Sequence, residues 1–427
     1  MKTVIMAGGQ GTRISSVAND IPKPMIKVGG IPVLERELEC LREQDFTDIV
    51  ITVSHLGRVI MDYFEDGCGL SPTTGKPFGV HIEYFEEETP LGNAGALFKL
   101  KERLTEDFLL LNGDVIFDVD FNRMAVFHKS KHALATLLTH PNSHPYDSGL
   151  IFTDANQAVT GWIAKEDPHP EFYKNRVNAG IHILSRKILD TELKTEKVDL
   201  DRQLLKPLAG TGKMFAYDSP EYVKDMGTPE RYEAVRRDIG NGTVRAKCLR
   251  NKQRAVFLDR DGTINQYVGF LRAPSEFELL PGVAEAIRRI NNSGYLAIVI
   301  TNQPVIARGE VSVERLREIH NKMETLLGDA GAYLDAIYYC PHHPDKGFEG
   351  EVPELKIQCN CRKPKPGMLL QAAMDYNLDL NASWMVGDSQ SDMEAGQAAG
   401  CKTALIGAEA PPSVSVASLT DFANRYL

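Results

Sequence analysis

The sequence has no long apolar run and no excess of positive charge. None of its hydrophobic segments approaches the ~18 residues of a membrane span, and the apolar part of the N-terminal stretch MKTVIMAGG is too short for a signal peptide. Acidic residues outnumber Lys and Arg by 58 to 48, so the formal net charge is −10. Such a chain lacks the basic patch that attracts nucleic acid or an anionic membrane. We therefore expect no nucleic acid and no membrane among its partners.

Paired cysteines are also missing over most of the chain. The sequence has seven cysteines, an odd number, and four of them stand alone, at Cys40, Cys68, Cys248 and Cys401. This distribution argues against a disulfide scaffold and fits a reducing compartment, so we predict a cytoplasmic protein. The oligomeric state stays open, a homo-oligomer included.

What the sequence does contain is the pattern of a two-domain α/β protein. With 427 residues it is longer than one domain usually is. Short apolar runs such as TVIMA and DIVITVS alternate with helical patterns such as IPVLERELECLREQ, which indicates parallel β/α units. The alternation fades after DMGTPERYEAVRRD and starts again at Arg254. We predict a first domain over 1–238, a polar linker over 239–253 and a second domain over 254–427.

A glycine-rich loop follows the first predicted strand. In MAGGQGTR, Gly8, Gly9 and Gly11 would let backbone N–H groups approach phosphate oxygens with no side chain in the way. The loop alone is equally compatible with a tight turn after a strand. A dinucleotide-binding fold would begin a helix at the third glycine, whereas Thr12 and Arg13 follow here.

Charged residues in defined surroundings accompany this loop. Lys23 lies between two prolines, which stiffen the backbone and present the ammonium group at low entropic cost. Asp114 ends a very apolar strand and Asp225 precedes a turn, and α/β folds place their sites at such strand ends. Together these residues favour a phosphate site over a plain turn.

The motifs GGxGTR, PKPM, PLGNAGAL, NGD, NAG and DMGTP occur in that order over about 238 residues. They resemble the sugar-1-phosphate nucleotidylyltransferases, above all the branch that makes GDP-mannose and GDP-heptose. The resemblance implies a Rossmann-like (GT-A-like) fold and Mg²⁺ held by Asp114 and Asp225. It implies that the nucleoside triphosphate, GTP by family likeness, is bound by Gly8, Gly9, Gly11, Thr12, Arg13 and Lys23. The sugar phosphate would lie near Gly92, Asn93, Lys165, Asn178 and Gly180.

The implied reaction explains this set of groups. An oxygen of the sugar phosphate attacks the α-phosphorus of the triphosphate and expels pyrophosphate, so two anions must meet. Arg13, Lys23 and a metal ion would neutralise and align them, and no covalent intermediate is needed. The sequence departs from the family where AKED lacks the acid before Lys165 and where Asn93 replaces a common Thr. Both departures bear on specificity.

Two aspartates follow the first strand of the second domain. In AVFLDRDGT, Asp259 and Asp261 would face the same side of an extended chain. The pair alone could be an acidic turn. Three later motifs, VITNQ, RKPKPG and MVGDSQSD, add a hydroxyl, a lysine and further acids, and this ordered set resembles the haloacid-dehalogenase superfamily and its Rossmannoid fold.

This second resemblance implies a two-step phosphatase. Asp259 would be the nucleophile that takes the phosphoryl group, and Asp261 would act as general acid and base. Thr301 and Lys363 would bind the phosphate, with Asn302 and Arg362 close to the substrate. Mg²⁺ would be held by Asp259, the backbone of Asp261 and Asp388, with support from Asp392.

Thiols and imidazoles are concentrated in one stretch of the second domain. Cys340 and His342 form one pair and Cys359 and Cys361 another, on either side of a polar loop. Free surface thiols are the alternative, but two such pairs suit a closed tetrahedral Zn²⁺ site, with His343 as the rival ligand. A structural zinc ion contributes ~10–16 kcal/mol of apparent binding free energy, enough to order the loop that precedes Arg362 and Lys363.

Phosphatases with this zinc loop include the D-glycero-D-manno-heptose 1,7-bisphosphate 7-phosphatases and the histidinol-phosphate phosphatases. TNQPVIARG resembles the heptose type through IARG, which would bring Arg308 to the substrate, and departs from it at Pro304 and Val305. Joined to a sugar-1-phosphate nucleotidylyltransferase, this type would catalyse consecutive steps of nucleotide-heptose synthesis. The alternatives are a mannose-1-phosphate guanylyltransferase with a phosphatase of other specificity, or one non-catalytic half.

Overall fold

The computed structural model describes residues 1–8, 21–54, 56–192, 195–407 and 414–427. These residues form two compact units. The first contains Met1–His140, Ile151–Trp162 and Asn178–Cys248. The second contains Pro141–Leu150, Ile163–Val177 and Leu249–Leu427. Both are α/β, which confirms the predicted fold class.

A large mixed sheet organises the first unit. Its strands and those of two small ladders are β1 (Thr3–Met6), β2 (Lys27–Val28), β3 (Ile31–Pro32), β4 (Asp48–Val53), β5 (His81–Glu86), β6 (Phe108–Asn112), β7 (Val115–Asp118), β8 (Ala135–His140), β9 (Leu150–Thr153), β10 (Val159–Ile163), β11 (Val177–Leu184), β12 (Met214–Asp218) and β13 (Tyr222–Asp225). The helices are α1 (Val33–Arg42), α2 (Gly57–Phe64), α3 (Gly95–Lys99), α4 (Phe121–Ser130), α5 (Pro229–Gly240) and α6 (Thr243–Ala246).

The centre of this sheet is parallel and largely buried. β1 pairs in parallel with β4 on one side and β6 on the other. Side chains of β1 enter both cores, since Val4 packs on one face of the sheet and Ile5 on the other. Each such aliphatic side chain contributes roughly 1.5–3 kcal/mol when it is fully buried. The carboxyl ends of β1 and β6 therefore lie side by side, where Gly8 and Asp114 follow.

A small antiparallel ladder brings the predicted metal ligands of the first unit together. β7 pairs with β13, and Val115 lies opposite Asp225. Asp114 directly precedes Val115 in the chain. The two predicted acids, 111 positions apart in sequence, are therefore neighbours at one end of this ladder.

The second unit contains a parallel sheet between two helical layers. Its strands are β14 (Arg254–Leu258), β15 (Tyr295–Asn302), β16 (Ala336–Cys340), β17 (Trp384–Gly387), β18 (Lys402–Ile406) and β19 (Val414–Val416), in the order β16-β15-β14-β17-β18-β19. Its helices are α7 (Val283–Asn292), α8 (Val313–Asp329), α9 (Gly367–Asp375), α10 (Gln390–Ala399) and α11 (Leu419–Tyr426). Side chains of α7, α8 and α11 fill one core, and those of α9 and α10 fill the other.

The alternation of side chains along β14 explains this layering. Val256 and Leu258 enter the core with α7, while Ala255 and Phe257 enter the core with α9. β14 is buried on both faces, so it ends where polar residues begin. The first polar residue after the strand is Asp259. In the described ranges, every helix is too short or too polar to cross a lipid bilayer.

Candidate active sites and metal centre

Carboxylates of the second unit meet at the carboxyl end of its sheet. Asp259 follows β14, Asp388 follows β17, and Asp392 lies in the first turn of α10. One oxygen of each lies within 4.8 Å of the others. Burial raises the pKa of Asp259 to about 7, which shows how strongly this position disfavours an uncompensated negative charge. Hard oxygen ligands at this spacing fit Mg²⁺.

Lys363 brings a positive charge into this cluster. Its buried Nζ lies 2.7 Å from Asp259 Oδ1, 2.6 Å from Asp392 Oδ1 and 2.8 Å from the carbonyl oxygen of Ile300. Asn302 fixes the backbone of this lysine: its Oδ1 accepts from Lys363 N at 3.0 Å, and its Nδ2 donates to Lys363 O at 3.1 Å. The lysine is thus held next to Asp259, where it can balance the charge of a phosphoryl group.

Gly262 permits the close approach of Asp388. Its φ is +88°, and a Cβ placed on it would lie 1.9 Å from Asp388 Oδ2. Any side chain at this position would displace the carboxylate, and the backbone conformation itself favours glycine. The residue was visible in the DGT sequence only as part of a turn.

Asp261 is held beside the cluster by side chains that the sequence analysis did not single out. The buried Arg260 donates from Nη2 to both carboxylate oxygens, at 2.8 and 3.0 Å. Gln303 Nε2 donates to Oδ2 at 3.0 Å, and Asn265 Nδ2 donates to Oδ1 at 3.1 Å. Gln303 Nε2 also donates to Thr301 Oγ1 at 2.8 Å. The amide of Gln303 therefore ties the predicted acid–base residue to the predicted phosphate ligand.

A cavity of about 350 Å³ opens onto these groups, within the range of small-molecule sites. Its polar wall contains Asp259, Asp261, Thr301, Asn302, Arg362, Lys363 and Asp388, all predicted site residues. The remaining wall is formed in part by Tyr267, Phe270 and Pro304. The aromatic residues belong to a loop in which the sequence analysis found no functional motif.

Arg308, predicted to meet the substrate, lies beside the cavity-wall residue Phe270. Its guanidinium carbon lies 4.4 Å from the ring centroids of both Phe270 and Phe348, and its Nε donates to Glu310 at 2.5 Å. The ammonium group of Lys356 lies 4.4 Å from the ring centroid of Phe348. Cations and rings therefore alternate, an arrangement stabilised by cation–π attraction. This four-residue stack connects the cavity wall at Phe270 with the loop between the cysteine pairs.

The four predicted zinc ligands come together. The Sγ atoms of Cys340, Cys359 and Cys361 lie 3.2–3.5 Å apart, and His342 Nδ1 lies 3.3 Å from Cys361 Sγ. Three thiols and one imidazole at one point suit a tetrahedral Zn²⁺ ion. His343 Nδ1 instead accepts a hydrogen bond from Asp345 N at 3.2 Å. Arg362, next to the last ligand, donates from Nη1 to His342 O at 3.3 Å.

In the first unit, a lysine and an aspartate meet at the end of β6. Lys23 Nζ lies 3.1 Å from Asp114 Oδ2. The neighbouring Asp225 accepts from Arg231 Nη1 at 2.7 and 2.9 Å and from Gly227 N at 2.8 Å. Burial opposes ionisation of Asp225, but these bonds outweigh it and hold the pKa of the carboxyl below its usual range. Arg231 and Gly227 thus hold the Asp225 carboxylate in its ionised form.

Glu37, on α1, is a buried acid beside this pair that the sequence analysis missed. Its Oε1 accepts from Val115 N at 3.4 Å. Burial and then the charge of Asp114 raise the pKa of Glu37 well above its usual value. Only its position on the buried face of α1, among apolar residues, could have drawn attention to it.

Of the other predicted residues of the first unit, some are described by the structure and some are not. Gly8 lies after β1, and its carbonyl oxygen accepts from Ser54 Oγ at 2.6 Å. Asn178 and Gly180 lie on β11, where Asn178 Oδ1 accepts from Gly180 N at 3.1 Å. Gly9, Gly11, Thr12 and Arg13 lie outside the described residues.

Gly92 and Asn93 shape a turn in the first unit, and Lys165 forms an ion pair in the second. A Cβ on Gly92 would lie 2.3 Å from the carbonyl oxygen of Val198. Asn93 Oδ1 accepts from Leu200 N at 2.7 Å, so half of its amide is engaged within the protein. Lys165 lies in the second unit and pairs with Asp147 at 2.5 Å.

Comparison with known proteins finds relatives for both halves of the chain. The family model described as nucleotidyl transferase matches residues 2–241, and the HAD-hydrolase-like model matches residues 360–416. A D-glycero-beta-D-manno-heptose-1,7-bisphosphate 7-phosphatase from Yersinia pestis is 44% identical over 152 residues, which are 36% of this chain and 79% of the relative.

Solved structures of both kinds are similar as well. The D,D-heptose 1.7-bisphosphate phosphatase from B. bronchiseptica is 34% identical, with a TM-score of 0.36, and the match covers 40% of this chain and 97% of that one. HddC from Yersinia pseudotuberculosis is 25% identical, with a TM-score of 0.47, and the match covers 56% of this chain and 99% of that one.

The family matches confirm both resemblances inferred from the sequence motifs. One chain carries a nucleotidyl transferase and a phosphatase of the haloacid-dehalogenase type, each with its acidic residues at strand ends. The chain belongs to the nucleotidyl transferase family through residues 2–241 and to the family of the D-glycero-beta-D-manno-heptose-1,7-bisphosphate 7-phosphatases through the 152 residues aligned with them.

Proposed function

We propose that the chain removes the 7-phosphate of D-glycero-D-manno-heptose 1,7-bisphosphate and then transfers GMP from GTP to the heptose 1-phosphate. The observation that supports this most is the contact of Asp259 with Lys363 beside Asp388, in a chain 44% identical over 152 residues to heptose bisphosphate phosphatases. The two reactions are consecutive, since the product of the first is the acceptor in the second.

In the phosphatase reaction, Asp259 is the nucleophile. One of its oxygens attacks phosphorus, the bond to the sugar oxygen breaks, and an aspartyl phosphate forms. Asp261 gives a proton to the leaving oxygen and later takes one from the water that hydrolyses the intermediate. Lys363 and Thr301 bind the phosphoryl oxygens. A Mg²⁺ ion held by Asp259, the backbone of Asp261 and Asp388 supplies charge neutralisation when bound.

In the nucleotidyl transfer reaction, the chain binds and aligns two anions. Lys23 and Arg13 neutralise phosphate oxygens, and Asp114 and Asp225 hold Mg²⁺, which lowers the repulsion between the reactants when bound. The proximity of Lys23 to Asp114 supports this assignment because both groups then address one phosphate chain. The acceptor is bound by Lys165, Asn178 and Gly180.

The cysteine–histidine cluster holds a structural zinc ion in this proposal. Four protein ligands leave no vacant position for catalysis. The ion orders the loop that carries Phe348 and fixes Arg362 and Lys363 at its far end. Free cysteines in the described part of the chain support a reducing, cytoplasmic location.

The experiment is a pair of product assays on the full chain. Heptose 1,7-bisphosphate should release inorganic phosphate, and heptose 1-phosphate should release pyrophosphate with GTP in preference to ATP, CTP and UTP. Histidinol phosphate and mannose 1-phosphate serve as the competing substrates. Faster turnover of either competitor would overturn the heptose assignment while leaving the two reaction types in place.

A further inference from the structure

The aromatic wall of the phosphatase cavity belongs to an exposed loop. Tyr267 and Phe270 both line the cavity, yet they are 67% and 38% exposed. Phe270 also lines a neighbouring cavity of about 390 Å³, so this residue lies at the boundary of two open spaces. A ring in such a place keeps one orientation only if other groups of the protein hold it.

Two arginines hold Phe270. The guanidinium carbon of Arg308 lies 4.4 Å from the centroid of its ring, and the ring of Phe348 lies at the same distance from that carbon. Arg272 donates from Nη1 to the carbonyl oxygen of Phe270 at 3.2 Å. One arginine therefore contacts the face of the ring, by a cation–π interaction, and the other fixes the backbone that carries it.

Glu310 joins these two arginines. Its Oε1 accepts from Arg308 Nε at 2.5 Å, and its Oε2 accepts from Arg272 Nε at 2.7 Å. Arg272 Nη2 lies 2.6 Å from the same Oε2. Two guanidinium groups that approach one carboxylate this closely would repel each other without it. A carboxylate that joins two cations in this way forms a network, whereas an isolated surface pair contributes little.

The backbone of Glu310 belongs to the turn that follows β15. Glu310 N and Val311 N both donate to the carbonyl oxygen of Val305, at 3.0 and 3.3 Å. The side chains of Val305, Ile306 and Val311 are buried in one small apolar cluster. β15 itself carries Thr301, a predicted phosphate ligand. Glu310 is thus anchored to the same rigid part of the fold as the phosphate site.

We infer that Glu310 is a positioning residue of the phosphatase reaction. Through Arg272 and Arg308 it holds Phe270 as an apolar wall against the carbon skeleton of the leaving sugar, as aromatic side chains do in small-molecule sites. The transferred phosphoryl group is bound by other residues and does not depend on Glu310. The inference rests on the proposed function, because that function makes the leaving group a sugar.

The test compares two substrates of different size on the full chain. Heptose 1,7-bisphosphate reaches the wall, whereas acetyl phosphate is a small phosphoryl donor without a sugar. Glu310→Ala should raise KM for heptose 1,7-bisphosphate about tenfold and leave kcat within about threefold, since the wall contributes to binding in the ground state and the transition state alike. With acetyl phosphate, kcat/KM should stay within about twofold of the wild-type value.

Further variants show whether Glu310 acts through the aromatic ring. Phe270→Ala should raise KM as much as Glu310→Ala does, and the double variant should raise it no further, because both changes remove the same contact. Glu310→Asp keeps the charge but is one methylene shorter, so it should restore part of the loss. The matched control is Glu318→Ala. Glu318 pairs with Arg315 at 2.6 Å, but both side chains are about half exposed, so no kinetic change is expected.

Three kinetic outcomes would overturn the inference. They are an unchanged KM for heptose 1,7-bisphosphate in Glu310→Ala, a double variant in which the two increases multiply, and an equal loss with acetyl phosphate. The last outcome would mean that Glu310 supports the phosphoryl site and not the wall.

Limited digestion with chymotrypsin adds a readout that needs no sugar. Glu310→Ala should be cleaved after Tyr267 or Phe270 several times faster than the wild type, and Glu318→Ala should be cleaved at the wild-type rate. Unchanged cleavage would contradict the inference whatever the substrate is. A wild-type chain that releases phosphate from acetyl phosphate but not from heptose 1,7-bisphosphate would contradict the proposed substrate instead.

Discussion

Asp259 and Lys363 lie 2.7 Å apart, and neither side chain is open to solvent. At such a position the carboxylate is useful only if its charge is balanced at every stage of the reaction. The lysine remains in place through the contacts of Asn302 with its backbone. Asp259 therefore faces the cavity with a cation beside it, so that a phosphate group can approach its carboxylate.

Replacing Asp259 separates the two reactions. Asp259→Asn removes the nucleophile but keeps the size and polarity of the side chain. Phosphate release from heptose 1,7-bisphosphate should fall by a factor of roughly 10³ or more, as for other nucleophile deletions. Pyrophosphate release from heptose 1-phosphate and GTP should be unchanged in the same preparation. Loss of both reactions would contradict two independent sites.

A substitution at Gly262 tests whether phosphate release depends on the position of Asp388, because its effect on that carboxylate is steric. Gly262→Ala places a Cβ 1.9 Å from Asp388 Oδ2, so the carboxylate must move and phosphate release should fall at least about 100-fold. Gly331→Ala is the control, since its φ is +76° and the nearest atom to its Cβ would lie 3.9 Å away. It carries similar backbone strain, roughly 1–2 kcal/mol, without the clash. Equal activities of the two variants would refute this explanation.

His182 makes the stability of the first unit depend on pH, and this dependence is unrelated to catalysis. It lies in β11, and burial lowers its pKa to about 3, whereas an unfolded histidine titrates near 6.5. Between these values only the unfolded state binds the proton, so stability is complete above pH ~6.5 and falls as the pH is lowered. Between pH 7.5 and pH 5 the free energy of unfolding falls by about 2 kcal/mol for this reason.

His182→Leu should remove this part of the acid sensitivity. Chemical denaturation should be followed at pH 7.5 and at pH 5. Between these two pH values the free energy of unfolding of the first unit should fall by about 2 kcal/mol less in the variant than in the wild type. His81→Gln, at an exposed position, should behave as the wild type. An identical pH dependence in all three proteins would show that His182 is not the source.

Among the elements, strand ends were predictable from the sequence and the loops between them were not. The apolar runs before Asp114, Asp259 and Asp388 can only be buried strands, and parallel strands place their carboxyl ends at one edge. The cysteine–histidine cluster was predictable because two close pairs bracket one loop. The stacking of Arg308 between two rings was not predictable, because it depends on Phe270 and Phe348 from separate loops.

Polar residues that hold a site residue in place were the hardest to predict from the sequence. Arg260 fixes Asp261 from the adjacent position in the chain, whereas Gln303 reaches it only after two loops have folded against each other. Similarly, no local pattern shows that residues 163–177 pack on α8, because the contact joins positions almost 150 residues apart. The periodicity of the sequence predicts helices and strands. Contacts between side chains that are far apart in the sequence become visible only in the tertiary structure.

The loop between the two cysteine pairs is an element whose order should depend on the proposed zinc ion. Cys359→Ser removes one ligand, so zinc content should fall below one ion per chain and the loop should lose its fixed conformation. Phe348 would then leave the stack on Arg308, and the cavity wall at Phe270 would loosen. We expect a higher KM for heptose 1,7-bisphosphate, about tenfold, and a lower melting temperature of the second unit.

Cys68→Ser is the control for this change. Cys68 is an exposed, isolated cysteine outside the cluster, so its replacement should alter neither zinc content nor phosphate release. Zinc is measured by atomic emission and KM by phosphate release. Full activity of Cys359→Ser without bound zinc would show that the ion does not support the cavity.

For the whole molecule, the two families explain why one chain can carry a complete reaction sequence. As we propose them, the phosphatase reaction leaves an anomeric phosphate untouched, and the nucleotidyl transfer reaction requires that phosphate as its attacking group. In the proposed function each reaction uses its own acidic residues, Asp259 and Asp388 in one and Asp114 and Asp225 in the other. The intermediate therefore has only to leave one cavity and enter the other site, and a second chain can supply that site equally well.

Mixing two inactive variants tests this last point. Asp259→Asn cannot form heptose 1-phosphate, and Lys23→Ala should lose most nucleotidyl transfer because a cation close to the phosphates is gone. Neither variant alone should make the nucleotide sugar from heptose 1,7-bisphosphate and GTP, but an equimolar mixture should, after a lag in which free heptose 1-phosphate accumulates. Chromatography of the nucleotide sugar over time measures both quantities. A mixture that releases phosphate but forms no product would mean that the intermediate passes between sites only within one chain.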